Sequence, residues 1–145
     1  MTENKKTKIK FEKTKQNEVN FTEKMSSSGG EIILSPLDFR HDELASQMTL
    51  IDHEIFEKIK PEELMSCSWN KKTKHEIAPN IVKLTQRFNH VSFWVVEEIL
   101  KPTLSRDRAE IVSHFIHVAK KCHELNNLHT QYAIISALQS APIFR

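Results

Sequence analysis

The sequence predicts an all-α fold, and three observations carry that expectation. The 145 residues contain two glycines, side by side at Gly29 and Gly30, so the 115 residues from Glu31 onward have none. Beyond that point apolar residues recur at three- and four-residue spacing, the period of one helix face. The five prolines, Pro36, Pro61, Pro79, Pro102 and Pro142, fall at the joints between the periodic stretches. That placement suits a residue that tolerates a first helical turn and breaks helix interiors.

The missing glycines also exclude functions. A dinucleotide fingerprint, a Walker loop and a Gly-x-Ser-x-Gly elbow each need a backbone conformation or a close approach that only glycine permits cheaply. None can be written after Gly30. Net charge is +2, and residues 1–30 carry seven Lys and four Glu, which leaves the remainder at minus 1. The folded part therefore lacks the basic footprint of a nucleic-acid binder. Cys67 and Cys122 are the two cysteines, with no leading apolar stretch of signal-peptide type and no apolar run long enough to span a bilayer. Together these predict a cytoplasmic chain with reduced thiols and no integral membrane segment.

Residues 1–30 scatter Ile9, Phe11, Val19 and Phe21 among polar residues and end in Ser26-Ser27-Ser28-Gly29-Gly30. Such a stretch buries too little apolar area to offset its ordering entropy, so a disordered basic tail and linker is expected, followed by one domain over residues 31–145. A first helix is expected from about Asp38 to Ile59, with Leu44, Met48, Ile51, Ile55 and Ile59 on one face. Pro61 opens a short turn of helix to Met65, and residues 66–78 read as a polar connection anchored by Trp69. Pro79 opens a long helix to Lys101, closed by Pro102. That helix has two apolar faces: Ile81, Leu84, Phe88, Val91, Val95 and Ile99 on one, Val82, Phe93 and Leu100 on the other. It must be covered from two directions. Ser105 is expected to cap the next helix, which runs to about Leu125 with Asp107 in its first turn and Val112, Phe115, Ile116, Ala119 and Cys122 inward. A last helix runs from Thr130 to about Gln139, with either Tyr132, Ile135 and Leu138 or Ile134 and Leu138 at helical spacing. Four main helices with a doubly apolar one among them make a core with too few covers, as in part of a larger helical domain.

Candidate chemistry is sparse. His114 and His117 lie three apart on the expected polar face, where both rings could reach one metal ion, yet no third ligand follows at a suggestive spacing. Solvated surface histidines are the plainer expectation. His123 fits a hydrogen-bonded residue at the core edge. Glu62 with Glu63, and Glu97 with Glu98, are sequence neighbours that point apart on a helix, so solvated faces rather than acid/base pairs are expected. Cys67 and His75 lack an orienting third group. No cofactor and no metal is expected.

What remains is an ordered series of segments. It comprises residues 44–64 (Leu44-Ala45-Ser46-Gln47-Met48-Thr49-Leu50-Ile51-Asp52 and on to Pro61-Glu62-Glu63-Leu64), Trp69, Ala78-Pro79-Asn80, Arg87-Phe88-Asn89 with Trp94, Glu124-Leu125-Asn126-Asn127, and residues 136–145. This series resembles the catalytic domain of Ras-type guanine nucleotide exchange factors, continuously from about Asp38 to Arg145. The resemblance implies an irregular all-helical bowl that grips the switch regions of a Ras-like small GTPase, of Ras or Rap type. It implies no covalent chemistry: the factor stabilises the empty GTPase, so bound nucleotide leaves.

On the resemblance, the pocket for the second switch falls on Thr85, Gln86, Tyr132, Gln139 and Phe144. Gln139 stands where the family usually has Asn, and Thr85 is less apolar than the common choice. Tyr132 and Phe144 read equally well as interface anchors or as core. Trp69, Asn80, Trp94, Asn126 and Asn127 are expected to be structural. The family's second element, a helical hairpin that levers the first switch away, lies beyond the position matching Arg145. The chain is therefore expected to hold the N-terminal half of the catalytic domain, with marginal stability and little exchange activity alone. The other expectation is a noncatalytic GTPase-binding or scaffolding module that keeps the second-switch surface. Recruitment to the inner membrane surface would come through other domains.

Overall fold

The computed structural model describes residues 35–144; the expected tail over residues 1–30 lies outside them. Among the described residues there is no strand, and the helices are α1 (His41–Phe56), α2 (Pro61–Leu64), α3 (Lys74–Ile77), α4 (Pro79–Leu100), α5 (Ser105–Glu124), α6 (Leu128–Leu138) and α7 (Ala141–Phe144). Short 3₁₀ turns occupy Pro36–Asp38 and Met65–Asn70. The all-α expectation holds, with α1, α4, α5 and α6 as the four long elements. None of the described helices is long and apolar enough to cross a membrane.

α1 starts three residues later than its periodicity suggests because the chain first closes a separate turn. Ser35 Oγ accepts from the Leu37 N–H at 3.3 Å and Asp38 accepts from the Ser35 N–H at 2.7 Å. This reciprocal capping opens the Pro36–Asp38 turn, and the extended backbone at Phe39 ends it before α1 begins. The four long helices then pack on one another in every pairing. Their shared core takes Ala45 and Met48 from α1, Val91, Val95 and Ile99 from α4, and Ala133, Ile134 and Ala137 from α6. Phe115 of α5 is fully buried at its centre, with Trp94 edge-on at 5.3 Å. That arrangement suits the ring quadrupoles.

Several expectations need correction. The buried stripe of α5 is Ile111, His114, Phe115, Val118, Ala119 and Cys122, so Ile116 is exposed and His114 is interior rather than on a polar face. The sequence offers two overlapping apolar phases there, and packing against α1 and α6 selects the one through Ile111 and Val118. Ser105 is the first helical residue, and the cap position before it is Leu104, which supplies no side-chain hydrogen bond. The second face of α4 is covered at Val82, while Leu100 is exposed and Phe93 is 73% exposed. Glu63 and Glu98 are buried, not solvated; Glu98 pairs with Lys101 at 2.5 Å. His123 is exposed, with its Nδ1 3.2 Å from Gln131 Oε1.

Candidate functional site

Two helix starts set the site. Ala78, the residue before α4, has no side chain with which to cap it. The carboxylate of Glu63 does so from a distance, accepting from the backbone N–H of Asn80 at 2.8 Å and of Ile81 at 3.3 Å, and from Asn80 Nδ2 at 2.7 Å. It also accepts from the Lys60 N–H at 3.3 Å, so α2 and the start of α4 are tied by one side chain. Burial works against the charge, but these donors outweigh it and hold the Glu63 carboxyl below its usual range. Asn80 takes part in this tie with both its backbone and its side chain. Trp69 is half-buried in the Met65–Asn70 turn, which packs on α2, α3 and α4.

The turn from α5 to α6 is closed by the asparagine pair. Asn126 adopts φ 59°, the left-handed conformation usual for glycine and best tolerated otherwise by Asn. The Asn126 N–H donates to His123 O at 2.9 Å and the Asn127 N–H to Cys122 O at 2.8 Å. This pair of bonds satisfies the last carbonyls of α5 in a region without glycine. Asn127 Oδ1 then accepts from the Thr130 N–H at 3.0 Å and caps α6.

Beneath the start of α6 lies Asp52 of α1, 5% exposed. Its carboxylate accepts from Asn127 Nδ2 at 2.9 Å, from the Thr130 hydroxyl, and from Arg87 Nε at 3.2 Å. His129 Nδ1 stands 3.4 Å from Oδ2. Burial pushes the Asp52 pKa up, yet the groups presented by His129, Thr130 and Asn127 prevail and hold it at about 2. One carboxylate therefore fastens α1 to α4, α6 and the turn between α5 and α6.

The surface residues named from the resemblance are all on the outside. Thr85 and Gln86 of α4 are exposed, with the Thr85 hydroxyl donating back to Ile81 O at 3.0 Å. Gln139, at the end of α6, is exposed. Tyr132 is 61% exposed and Phe144 is 81% exposed, so neither belongs to the core. They sit on α6 and α7, which pack on each other and both on α4. Trp94 is half-buried against the core.

Asp52, Arg87, His129, Thr130 and Glu63 were not picked out as a cluster by their spacing. Asp52 did carry a signal, since it lies four residues after Met48 and three before Ile55, a carboxylate in the middle of an apolar stripe. The histidines hold no metal arrangement. His41 lies 4.6 Å from His114 and 4.9 Å from His117, ring centre to ring centre, and the buried His114 Nε2 has no partner. Among the described residues no group of three or more His, Cys, Asp or Glu side chains is placed to hold an ion. Cys67 is exposed, and burial pushes the Cys122 thiol up to about 12, leaving it without nucleophilic character near neutral pH.

The family model described as the RasGEF domain matches residues 43–145. The chain belongs to the RasGEF family. Relatives agree: the mouse (Mus musculus) Ras-specific guanine nucleotide-releasing factor RalGPS1 is 55% identical over 120 residues, 83% of this chain and 20% of the relative. The human (Homo sapiens) Ras-specific guanine nucleotide-releasing factor RalGPS2 is 50% identical over 131 residues, 86% of this chain and 22% of the relative. Ras guanine nucleotide exchange factor E of Dictyostelium discoideum is 42% identical over 122 residues, 84% of this chain and 12% of the relative. The chain thus spans about a fifth of the length of the RalGPS relatives it matches. In this RasGEF sequence, the Glu63 tie and the Asp52 cluster fasten α4 and α6, the helices that carry Thr85, Gln86 and Tyr132.

Proposed function

We infer that the domain takes part in nucleotide exchange on a Ras-family small GTPase, of Ras or Rap type, by holding its second switch against α4, α6 and α7. The observation that carries this reading is the exposure of Tyr132 and Phe144, at 61% and 81%, on neighbouring helices of a RasGEF chain. Large aromatic side chains set on a rigid surface are the usual anchors of protein interfaces. Thr85, Gln86 and Gln139 would supply the polar contacts around them. No bond to the nucleotide is made or broken. A surface that binds the empty GTPase better than the loaded one weakens nucleotide binding by the same factor.

Residues 31–145 correspond on this reading to the N-terminal part of the catalytic domain, and the lever for the first switch is contributed from outside them. Residues 1–145 alone should then bind the GTPase yet accelerate release weakly. The partner would be met in the cytoplasm or, through other domains, at the inner membrane surface. The test is release of fluorescent GDP from Ras- and Rap-type GTPases, alongside binding of the same GTPases freed of nucleotide. Tyr132→Ala should weaken binding by more than about 1 kcal/mol while leaving the unfolding midpoint unchanged. Binding without any release supports the scaffolding alternative, and no binding to any GTPase refutes the surface.

A further inference from the structure

The two ends of one turn of α4 are tied down from below. Leu84 O lies 3.1 Å from His129 Nε2, and Arg87 Nε lies 3.2 Å from Asp52 Oδ1. Between these tied residues stand Thr85 and Gln86, both exposed. His129 belongs to the first turn of α6, one turn before Tyr132. Its ring is 22% exposed by side chain, with Phe88 of α4 edge-on at 5.7 Å. The ring is therefore wedged between α4 and α6, with Nε2 on the α4 backbone and Nδ1 facing the Asp52 carboxylate.

A carbonyl oxygen only accepts, so His129 Nε2 carries the hydrogen of that contact. Leu84 O lies within the helix ladder and uses its second lone pair for the bond from outside. Such a bond adds nothing that α4 needs as a helix. What it fixes is the position of this turn of α4 relative to the first turn of α6. The distance between Thr85–Gln86 and Tyr132 then follows from the length of one imidazole.

We propose that His129 is a positioning residue that, through its bond to Leu84 O, sets the separation between the Thr85–Gln86 turn of α4 and Tyr132 of α6, and thereby presets the surface for the GTPase switch. The proposal rests on the reading of that surface as GTPase-binding. Side-chain geometry supplies a discriminating pair of variants. The amide nitrogen of Gln reaches about as far as His Nε2, whereas that of Asn reaches only about as far as Nδ1. His129→Gln keeps the donor for Leu84 O, and His129→Asn keeps only a group facing Asp52.

The test uses the 145-residue chain and two readouts: affinity for the tightest-binding member of a panel of nucleotide-free Ras and Rap GTPases, and amide chemical shifts of residues 85, 86 and 132 in the free chain. His129→Asn should bind roughly fivefold more weakly and displace those shifts. His129→Gln should restore affinity to within about twofold and return the shifts toward wild type, at unfolding midpoints matched between the two variants. Equal affinity and equal shifts for the two variants would overturn the brace. Should wild type bind no GTPase, the proposed function falls, and the shifts of the free chain still decide whether His129 sets the spacing.

Discussion

Two buried polar clusters among the described residues are treated in opposite ways. Around Asp52 a carboxylate is removed from water and meets donors from Arg87, Asn127 and Thr130, with His129 close by. Around His114 an imidazole is removed from water, lies tilted against His41 at 4.6 Å, and leaves Nε2 without a partner. A buried polar group is tolerated cheaply when its hydrogen bonds are replaced and costs folding energy when they are not. The first cluster is thus a fastening among α1, α4 and α6, and the second is a weak point between α1 and α5. The carboxylate at the centre of the first is supplied with donors, although His129 Nδ1 beside it makes no hydrogen bond, whereas the imidazole at the centre of the second is itself short of a partner.

Breaking the Asp52 cluster should give the largest effect. Asp52→Ala leaves Arg87 without its counter-charge and Asn127 and Thr130 without their acceptor, and should cost about 3 kcal/mol in urea unfolding. The pH dependence follows from the same carboxylate. Its pKa is lowered to about 2 in the folded chain, so its contribution is fully present above the unfolded value, about 3.9, and is lost as pH falls toward 2. The stability difference between wild type and Asp52→Ala should accordingly shrink as pH falls through that window.

The helices and their order were legible because apolar spacing and proline placement are local. So was the start of α4 at Pro79. The Asp52 and Glu63 ties were not, since each joins residues tens of positions apart or fills a need created elsewhere. Ala78 cannot cap α4, and only the fold brings Glu63 to do so. The rotated face of α5 escaped for a related reason: Ile111, Val112, Phe115, Ile116, Val118 and Ala119 permit two phases, and the neighbours α1 and α6 decide between them. The outward placement of Tyr132 was open for the same reason, because Ile134 at nearby spacing competes for the core and wins it.

The weak point should respond in the opposite direction and by less. His114→Phe replaces an unpartnered ring by an apolar one of similar shape and should be neutral or stabilising by up to about 1 kcal/mol. Burial, then the proximity of His41 and His117, lowers the pKa of His114. The unfolded chain takes up a proton that the folded chain resists, so this residue makes stability fall as pH drops below about 6.5. Unfolding curves at pH 7 and pH 5 should show that loss in wild type and a smaller one in His114→Phe; equal losses would show that His114 is not its source.

The central claim is that the helices fastened by Asp52 display a surface suited to a GTPase that has lost its nucleotide. The direct measurement is the affinity of the chain for one Ras-family GTPase in two states, nucleotide-free and GDP-loaded, by titration calorimetry. The nucleotide-free form should bind at least tenfold more tightly, and Tyr132→Ala and Phe144→Ala should erode that preference without unfolding the chain. Equal affinity for the two states, or a preference for the loaded one, would contradict it, because a surface without that difference cannot drive release.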